Sequence, residues 1–360
     1  MHLLHIAGAR PNFPKLAPVH RAACGAGWQQ TIVHTGQHYD AALSDQFFQE
    51  LAIPHPDENL EVGSATHAVQ TARIMERLEP ILNARRPDWV LVYGDVNSTV
   101  AAALVASKLG IRLAHVEAGL RSYDRSMPEE INRLVTDQLS DMLFTPSDDG
   151  NENLRAEGIE EDKVHLVGNV MIDTLVRLLP QAEQEFPAEI ARPYALVTLH
   201  RPSNVDDLPW LQEMLSTLSQ LSEQLNIIFP LHPRTRQRLG ALGTLIAANG
   251  HLQLLDPLPY LSFLALQARA AMVITDSGGI QEETSYLRVP CLTVRVNTER
   301  PITVSLGTNQ LVGRDLEKLK QAAGQILSNQ PGAAVRAAGP GIPLWDGHAS
   351  ERIAEIILRR

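Results

Sequence analysis

A chain of 360 residues with 44% hydrophobic residues can bury a large core, and its length favours two α/β domains. The formal charge of −10 argues weakly against a nucleic-acid-binding surface. The start lacks the basic and apolar regions of a signal peptide, and no apolar run reaches the roughly 18 residues of a membrane span. Two distant cysteines without a CxxC pattern are typical of a reducing compartment, so we expect a cytoplasmic protein.

The chain opens with a predicted strand at residues 3–7, a loop that contains Arg10, and a helix from Phe13 through Ala23. Unpaired N–H groups and the helix dipole attract anions to such a helix start. We therefore predict that Arg10 binds an anion. Lys15, in the first helical turn, could assist or could be a solvated surface lysine.

Two histidines follow the second predicted strand, residues 30–33. His34 and His38 are four residues apart, with Gly36 between them. This spacing places two metal ligands side by side only on a helix. A metal site is therefore not expected, and His38 is predicted to face the ligand cleft from a polar loop. Residues 67–84 have the apolar spacing of a packing helix.

Carboxylates follow two neighbouring strands in the first half. The strand at 90–93 is followed by Gly94 and Asp95, and the strand at 111–116 leads directly into Glu117. Ligands of open parallel sheets bind beyond the carboxyl ends of the strands. Asp95 and Glu117 are thus placed where chemistry occurs, with Glu129 on a nearby loop. The alternative is that the strand-end carboxylates only cap backbone groups.

The second half repeats this pattern, because a strand at 194–199 ends at His200 and Arg201-Pro202, as the first strand ends near Arg10-Pro11. We predict an α/β fold of two doubly wound Rossmann-like domains facing a central cleft. The predicted domains are residues 1–170, joined by a closing helix at 347–360, and residues 171–346.

A glycine turn after the strand at 272–276 predicts a diphosphate site. Ser277, Gly278 and Gly279 would let backbone N–H groups approach an anion at a helix start, and Glu283 could accept both hydroxyls of a ribose. Alternatively, the segment is a sharp turn and Glu283 a surface carboxylate. Arg300 adds a cation beyond the next strand. The chain has no GxGxxG after its first strand and no GxxxxGK[ST], which disfavours NAD and ATP.

Together these motifs resemble the non-hydrolysing UDP-N-acetylglucosamine 2-epimerases along nearly the whole chain. The matching segments, in order, are GARPNFPK, TGQHYD, YGDVNST, HVEAGLRS, PEEINR, GNVMIDT, LHRPSN, PLHPRTR, DPLPYLSF, TDSGGIQEE, NTERP and GHASERI. The resemblance implies a GT-B architecture with UDP held mainly by the second domain, and a homodimer. It also implies reversible conversion of UDP-N-acetylglucosamine to UDP-N-acetylmannosamine without an added cofactor.

The resemblance further implies roles for individual residues. Asp95, Glu117 and Glu129 match the family's acid and base carboxylates, and His200 matches a histidine near the leaving diphosphate. Because clustered carboxylates raise one another's pKa, the three could share acid and base roles. The predicted contacts to the UDP-sugar are Arg10, Lys15, His38, Arg201, Phe263 on a uracil-side loop, Ser277, Gly278, Gly279, Glu283 and Arg300.

Two segments depart from the family pattern. The segment often written HRREN reads His200-Arg201-Pro202-Ser203-Asn204 here. Tyr39-Asp40-Ala41 and Ala65-Thr66 stand where many bacterial members bind a second, activating UDP-N-acetylglucosamine. We therefore predict that substrate activation is absent. Three other functions stay open: a hydrolysing 2-epimerase, a GT-B glycosyltransferase that uses a UDP-sugar, and a non-catalytic sugar-nucleotide sensor.

Overall fold

The computed structural model describes residues 1–36, 48–187, 190–191, 193–231, 233–239, 251–328 and 341–360. His38 and the Tyr39–Ala41 segment lie outside these ranges. The chain divides into two compact units, one of residues 1–177 with 343–360 and the other of residues 178–342. The division falls inside a helix, Val170–Ala182, near the predicted limit at residue 170.

The first unit is built on a parallel sheet of seven strands. They are β1 (His2–Ala7), β2 (Gln29–His34), β3 (Glu58–Asn59), β4 (Trp89–Tyr93), β5 (Arg112–Val116), β6 (Met142–Thr145) and β7 (Val164–Leu166). Their spatial order is β3-β2-β1-β4-β5-β6-β7, and every neighbouring pair is parallel. All five residues of β4 are buried, as expected for a central strand with both faces covered.

Among the described residues, the helices that connect these strands are α1 (Phe13–Gly25), α2 (His67–Arg85), α3 (Asn97–Lys108), α4 (Pro128–Leu139) and α5 (Asp148–Ala156), and α6 (Val170–Ala182) follows β7. Helix α3 is rich in alanine and buried along most of its length, and it packs between α2 and α4. Its small side chains allow this close packing, which fixes α4 beside the carboxyl ends of β4 and β5.

The second unit has a parallel sheet of six strands. They are β8 (Tyr194–Thr198), β9 (Asn226–Pro230), β10 (Leu252–Leu255), β11 (Met272–Thr275), β12 (Cys291–Thr293) and β13 (Asn309–Leu311). The order β10-β9-β8-β11-β12-β13 repeats the third-second-first-fourth-fifth-sixth order of the first unit. The predicted pair of doubly wound α/β folds is therefore confirmed.

Among the described residues, the helices of the second unit are α7 (Pro202–Val205), α8 (Leu208–Leu221), α9 (Pro233–Leu239), α10 (Tyr260–Arg269), α11 (Gly278–Leu287), α12 (Ile302–Ser305) and α13 (Leu316–Ser328). Helix α8 ends at Leu221, because residues 222–225 form the turn into β9. Strand β12 ends at Thr293, where its pairing with the three residues of β13 ends.

The last helix, α14 (Ala349–Leu358), belongs to the first unit. Its inward residues Ile353 and Ile357 are fully buried, and it packs against α1. Asp173 of α6 accepts hydrogen bonds from the backbone N–H groups of Ala349 (3.0 Å) and Ser350 (2.7 Å) at the helix start. No helix in the described part of the chain combines the length and apolarity that a bilayer span requires.

Gly119, two residues beyond Glu117, occupies a position that only glycine fits. Its φ is +80°, and a Cβ there would lie 2.5 Å from the carbonyl oxygen of Gly150. Gly158 has the same φ of +80°, but nothing lies within 4 Å of its would-be Cβ. An alanine at Gly158 would therefore cause backbone strain alone, whereas an alanine at Gly119 would cause backbone strain and steric overlap.

We predict that Gly158→Ala costs about 1–2 kcal/mol, the cost of a left-handed backbone alone. Gly119→Ala should cost that amount plus about 1–3 kcal/mol for overpacking against rigid backbone. Urea unfolding of both variants and the parent protein measures the difference. Equal losses of stability in the two variants would show that the chain around Gly150 relaxes to admit the methyl group.

Candidate active site

Asp95, beyond the end of β4, is held by helix α4. The Arg133 guanidinium pairs with the Asp95 carboxylate, and the Asn132 side chain donates to the Asp95 carbonyl oxygen at 2.8 Å. The Asp95 side chain is 31% exposed, whereas that of Arg133 is buried. Glu129 lies one turn before Arg133 on the same helix, so the two share a helix face. The helix that carries Glu129 therefore lies next to Asp95.

Glu129 lies in the first turn of α4 and not on a loop, which corrects the prediction from sequence. Pro128 starts the helix, as its fixed φ favours at such a position. The neighbouring Glu130 is buried and accepts hydrogen bonds from Arg133, from the backbone and hydroxyl of Ser122, and from the backbone of Tyr123. Glu130 therefore has a structural role, while Glu129 is partly exposed.

Glu117, at the end of β5, forms a buried ion pair with Lys15 of α1. Lys15 is therefore not a solvated surface lysine. Glu117 has a φ of +74°, in the left-handed region that non-glycine residues adopt rarely. A Cβ at Gly94 would lie 2.8 Å from Lys15 Nζ and 3.1 Å from Glu117 Oε2. Since Gly94 precedes Asp95, the two carboxylate-bearing turns are adjacent.

The sequence did not reveal the cations that face these carboxylates. In the structure Arg133 pairs with Asp95 and Lys15 pairs with Glu117, so each carboxylate has a counter-charge from a helix. The shared acid and base roles of the three carboxylates stay a prediction.

The loop of Arg10 is anchored to the end of β4 by Asn12. The Asn12 side-chain oxygen accepts the N–H groups of Gly8 and Ala9 at 3.0 Å, and its amide donates to the Tyr93 carbonyl at 2.7 Å. Arg10 itself is exposed in a short 3₁₀ turn that precedes α1. The loop therefore holds a cation at the same edge of the sheet as the two carboxylate-bearing turns.

In the second unit, His200 is oriented by Asp276. His200 Nδ1 lies 2.9 Å from Asp276 Oδ1, and the His200 side chain is 44% exposed. Asp276 is fully buried and also accepts the backbone N–H of Arg201 at 2.9 Å and the side chain of Asn204 at 3.0 Å. Burial opposes ionisation of Asp276, but these hydrogen bonds and His200 outweigh it, so its pKa lies below the usual value. An ionised Asp276 fixes the proton of His200 on Nδ1.

A group of buried charges lies beside the glycine turn. Arg300 pairs with Glu282 at 2.7 Å, and Arg295 pairs with Glu299 at 2.5 Å. Arg201 and Arg300 each lie 3.6 Å from Glu299. Burial opposes ionisation of Glu299, but the hydrogen bond from Arg295 and the three guanidinium charges bring its pKa far below the usual value. Three cations thus face two anions, an excess that suits a bound anion.

The glycine turn lies directly under one of these cations. Helix α11 begins at Gly278 after Ser277, and a Cβ on Gly278 would lie 2.6 Å from Arg300 Nη1. A side chain there would displace the guanidinium. Ser277, Gly278 and Gly279 are all partly exposed. The turn therefore combines a helix start with a close arginine, the features of an anion site.

Glu283 is a buried residue of α11, and not a surface carboxylate. Its Oε1 accepts a hydrogen bond from the Tyr260 hydroxyl at 2.7 Å. Burial raises its pKa from 4.5 to about 7, although Tyr260 and Gln267 act in the opposite direction. Glu283 is therefore about half protonated near neutral pH.

Phe263 lies within α10, which corrects its predicted place on a loop. Pro259 stands at the N-cap in an extended conformation, and the Phe263 N–H donates to its carbonyl at 3.0 Å, which completes the first turn. Phe263 is partly exposed. His38 lies outside the described residues.

Sequence reasoning missed three residues that support the predicted ones: Arg133, Asp276 and Glu299. Arg133 could have been found from its spacing, four residues after Glu129 on one helix face. Asp276 follows a strand end in the second unit as Asp95 does in the first, so the same rule selects it. Nothing in the local pattern indicates that Glu299 would contact three arginines.

The fold matches that of a solved enzyme. The crystal structure of Methanocaldococcus jannaschii UDP-GlcNAc 2-epimerase in complex with UDP-GlcNAc and UDP has a TM-score of 0.90 to this chain, with 41% identity and full coverage of both chains. The protein is therefore an α/β protein of the GT-B-like class.

The sequence comparisons agree with this class. The chain is 42% identical over 368 residues to the UDP-N-acetylglucosamine 2-epimerase of M. jannaschii, covering 99% of each protein. It is 40% identical over 372 residues to the UDP-2,3-diacetamido-2,3-dideoxy-D-glucuronate 2-epimerase of Pseudomonas aeruginosa, covering 100% of each. The family described as UDP-N-acetylglucosamine 2-epimerase matches residues 23–358, and this chain belongs to it.

The raised pKa of Glu283 predicts a pH-dependent stability. Between pH 4.5 and about 7 the unfolded chain has lost the proton that the folded chain keeps, so stability falls as pH rises through this range. Relative to Glu283→Gln, the parent protein should lose about 2–3 kcal/mol between pH 5 and pH 8. Urea unfolding at several pH values measures this difference, and a constant difference would contradict the burial effect.

Proposed function

We propose that this epimerase interconverts UDP-N-acetylglucosamine and UDP-N-acetylmannosamine without hydrolysing the nucleotide-sugar bond. The observation that carries the proposal is the arrangement in the first unit. Asp95 and Glu117 follow adjacent strands, Glu129 lies on the helix that holds Asp95, and Lys15 and Arg133 balance their charge. Epimerisation at C2 needs acid and base groups of this kind.

The proposed reaction is an elimination followed by re-addition. One carboxylate removes the C2 proton, the C1–O bond breaks with its electron pair on the UDP oxygen, and C1 and C2 become doubly bonded in 2-acetamidoglucal. In the second step the UDP oxygen re-forms its bond to C1, and C2 takes a proton on the opposite face. General acid–base catalysis of this type contributes about 10²–10⁴-fold. Asp95, Glu117 and Glu129 are the proposed acid and base groups.

The second unit would bind the UDP part of the substrate. The proposal places the diphosphate at Ser277, Gly278 and Gly279, where the start of α11 and Arg300 attract anions. His200, with its proton held on Nδ1 by Asp276, could donate from Nε2 to the leaving phosphate when protonated. Glu283 would accept ribose hydroxyls.

The remaining proposed contacts are Arg10, Lys15, His38, Arg201 and Phe263. Arg10 and Arg201 are cations suited to the diphosphate, and Lys15 would act through Glu117. We also propose a homodimer, a cytoplasmic location and a role in polysaccharide biosynthesis, as the family resemblance suggests. We propose that the reaction needs no added cofactor, because elimination and re-addition of UDP cause no net change in oxidation state.

A second substrate is supported by one relative. The Pseudomonas aeruginosa protein acts, by its name, on a diacetamido-glucuronate carried by UDP, and it is nearly as similar to this chain as the M. jannaschii enzyme. Both names describe inversion at C2, so the same carboxylates would serve either sugar. The 3-acetamido and 6-carboxylate groups would distinguish the two substrates.

We predict that Asp95→Asn and Glu117→Gln fold normally and lower kcat by about 10²–10⁴-fold, because each removes an acid or base group. Asp88→Asn is the matched control. Asp88 stands just before β4, at the end of the strand opposite to Asp95, and accepts the His2 N–H at 2.7 Å. Formation of UDP-N-acetylmannosamine measures the rates. Parent-like turnover in either variant would remove that carboxylate from the mechanism.

A deuterium experiment separates the proposed function from its alternatives. In heavy water, the enzyme and UDP-N-acetylglucosamine alone should give both epimers with deuterium at C2, read by proton NMR. Free N-acetylmannosamine would establish a hydrolysing enzyme. Binding without exchange would favour a sensor, and turnover only with an added acceptor would favour a glycosyltransferase.

The same assay with the UDP-linked diacetamido-glucuronate decides between the two sugars. We expect a higher kcat/KM for UDP-N-acetylglucosamine, because relatives that carry this name include the M. jannaschii enzyme. A preference of tenfold or more for the uronate would reverse the assignment of substrate.

A further inference from the structure

His115 is a fully buried histidine of β5, two residues before Glu117. Its Nδ1 lies 2.6 Å from Asp137 Oδ1, and its Nε2 lies 2.8 Å from the carbonyl oxygen of Gly94. A carbonyl oxygen can only accept a hydrogen bond, so Nε2 must carry a proton. His115 therefore donates to the turn that precedes Asp95 and contacts Asp137 through its other ring nitrogen.

The surroundings of Asp137 favour its ionised form. Its second oxygen, Oδ2, lies 2.7 Å from Arg121 Nη2 and 3.2 Å from the backbone N–H of Gly119. Burial opposes ionisation, but His115 and Arg121 outweigh it, and the pKa of Asp137 lies below its usual value. Both ring nitrogens of His115 therefore face acceptors.

Arg121 supports Asp137 from its other side. The Arg121 guanidinium pairs with Asp137 at 2.7 Å and with Glu157, whose side chain is 24% exposed, at 2.6 Å. These contacts hold the Asp137 carboxylate in place beside Gly119.

The contacts of this pair reach both carboxylate-bearing turns. His115 binds the carbonyl of Gly94, the residue before Asp95, and Asp137 binds the N–H of Gly119, two residues after Glu117. Gly94 and Gly119 have φ values of +62° and +80°. Turns in this conformation need support from neighbouring groups to keep a single geometry.

We propose that His115 and Asp137 form a positioning pair that fixes the spacing of Asp95 and Glu117 through the backbone of their two turns. His115 is fully buried and acts only through these turns. Its role in catalysis rests on the proposed epimerase function.

His5 provides a matched control. It is also a fully buried histidine, on β1 of the same sheet, but its ring nitrogens face neutral groups: the Tyr93 hydroxyl at 2.7 Å and the Gln30 side chain at 2.9 Å. Burial, with a smaller contribution from His20, lowers the pKa of His5 to about 3, so it is neutral. Replacing it removes a buried histidine whose ring binds neither Gly94 nor Gly119.

The test is the activity of His115→Gln and Asp137→Asn, with His5→Gln as control. Both variants of the pair should lower kcat about 10²-fold with little change in KM, since misplaced catalytic groups lose rate before binding. His5→Gln should keep parent-like kcat even where its melting temperature falls equally. Parent-like kcat in a folded His115→Gln protein would overturn the positioning role. An inactive parent enzyme would instead refute the proposed function.

Discussion

Charges buried at the strand ends of the first unit need partners, and this requirement organises the site. Glu117 is almost fully buried, and Lys15 reaches it from the first turn of α1. Asp95 is held by Arg133, which Glu130 orients in turn. A buried charge without a partner is costly, so each cation stabilises the carboxylate that it faces. The cations also fix where both acids point, and each cation comes from a different helix.

The second unit pairs charges in the same way beside the glycine turn. Glu299 binds Arg295 and lies near Arg201 and Arg300, so that three guanidinium groups share two carboxylates. Such pairing would hold the arginines in place before the proposed anion binds, and less side-chain entropy would then be lost on binding. Asp276 orients His200 in a similar way through the ring Nδ1. Arg133 and Asp276 are more deeply buried than Asp95 and His200, the residues that they orient.

Much of this architecture could be predicted from the sequence. Apolar strands such as β4, followed by glycine and an acidic residue, indicate a parallel sheet and its functional edge, and the strand order confirms the interpretation. The helical environments of Glu129 and Phe263 were missed, because Pro128 and Pro259 indicate turns as readily as helix starts. The partners of the carboxylates were missed for another reason. Lys15 and Glu117 are 102 residues apart, and no local pattern relates them.

The left-handed backbone of Glu117 has a consequence for engineering this enzyme. A glycine at this position would remove strain of about 1–2 kcal/mol, but it would leave the Lys15 charge buried without this carboxylate, at a cost of about 3–5 kcal/mol. Selection of random variants for heat resistance alone would therefore favour loss of the acid only after Lys15 has been replaced by an uncharged residue. A thermostabilised version of this protein should be obtained by keeping residues 15 and 117 fixed together, or by screening for turnover at each round.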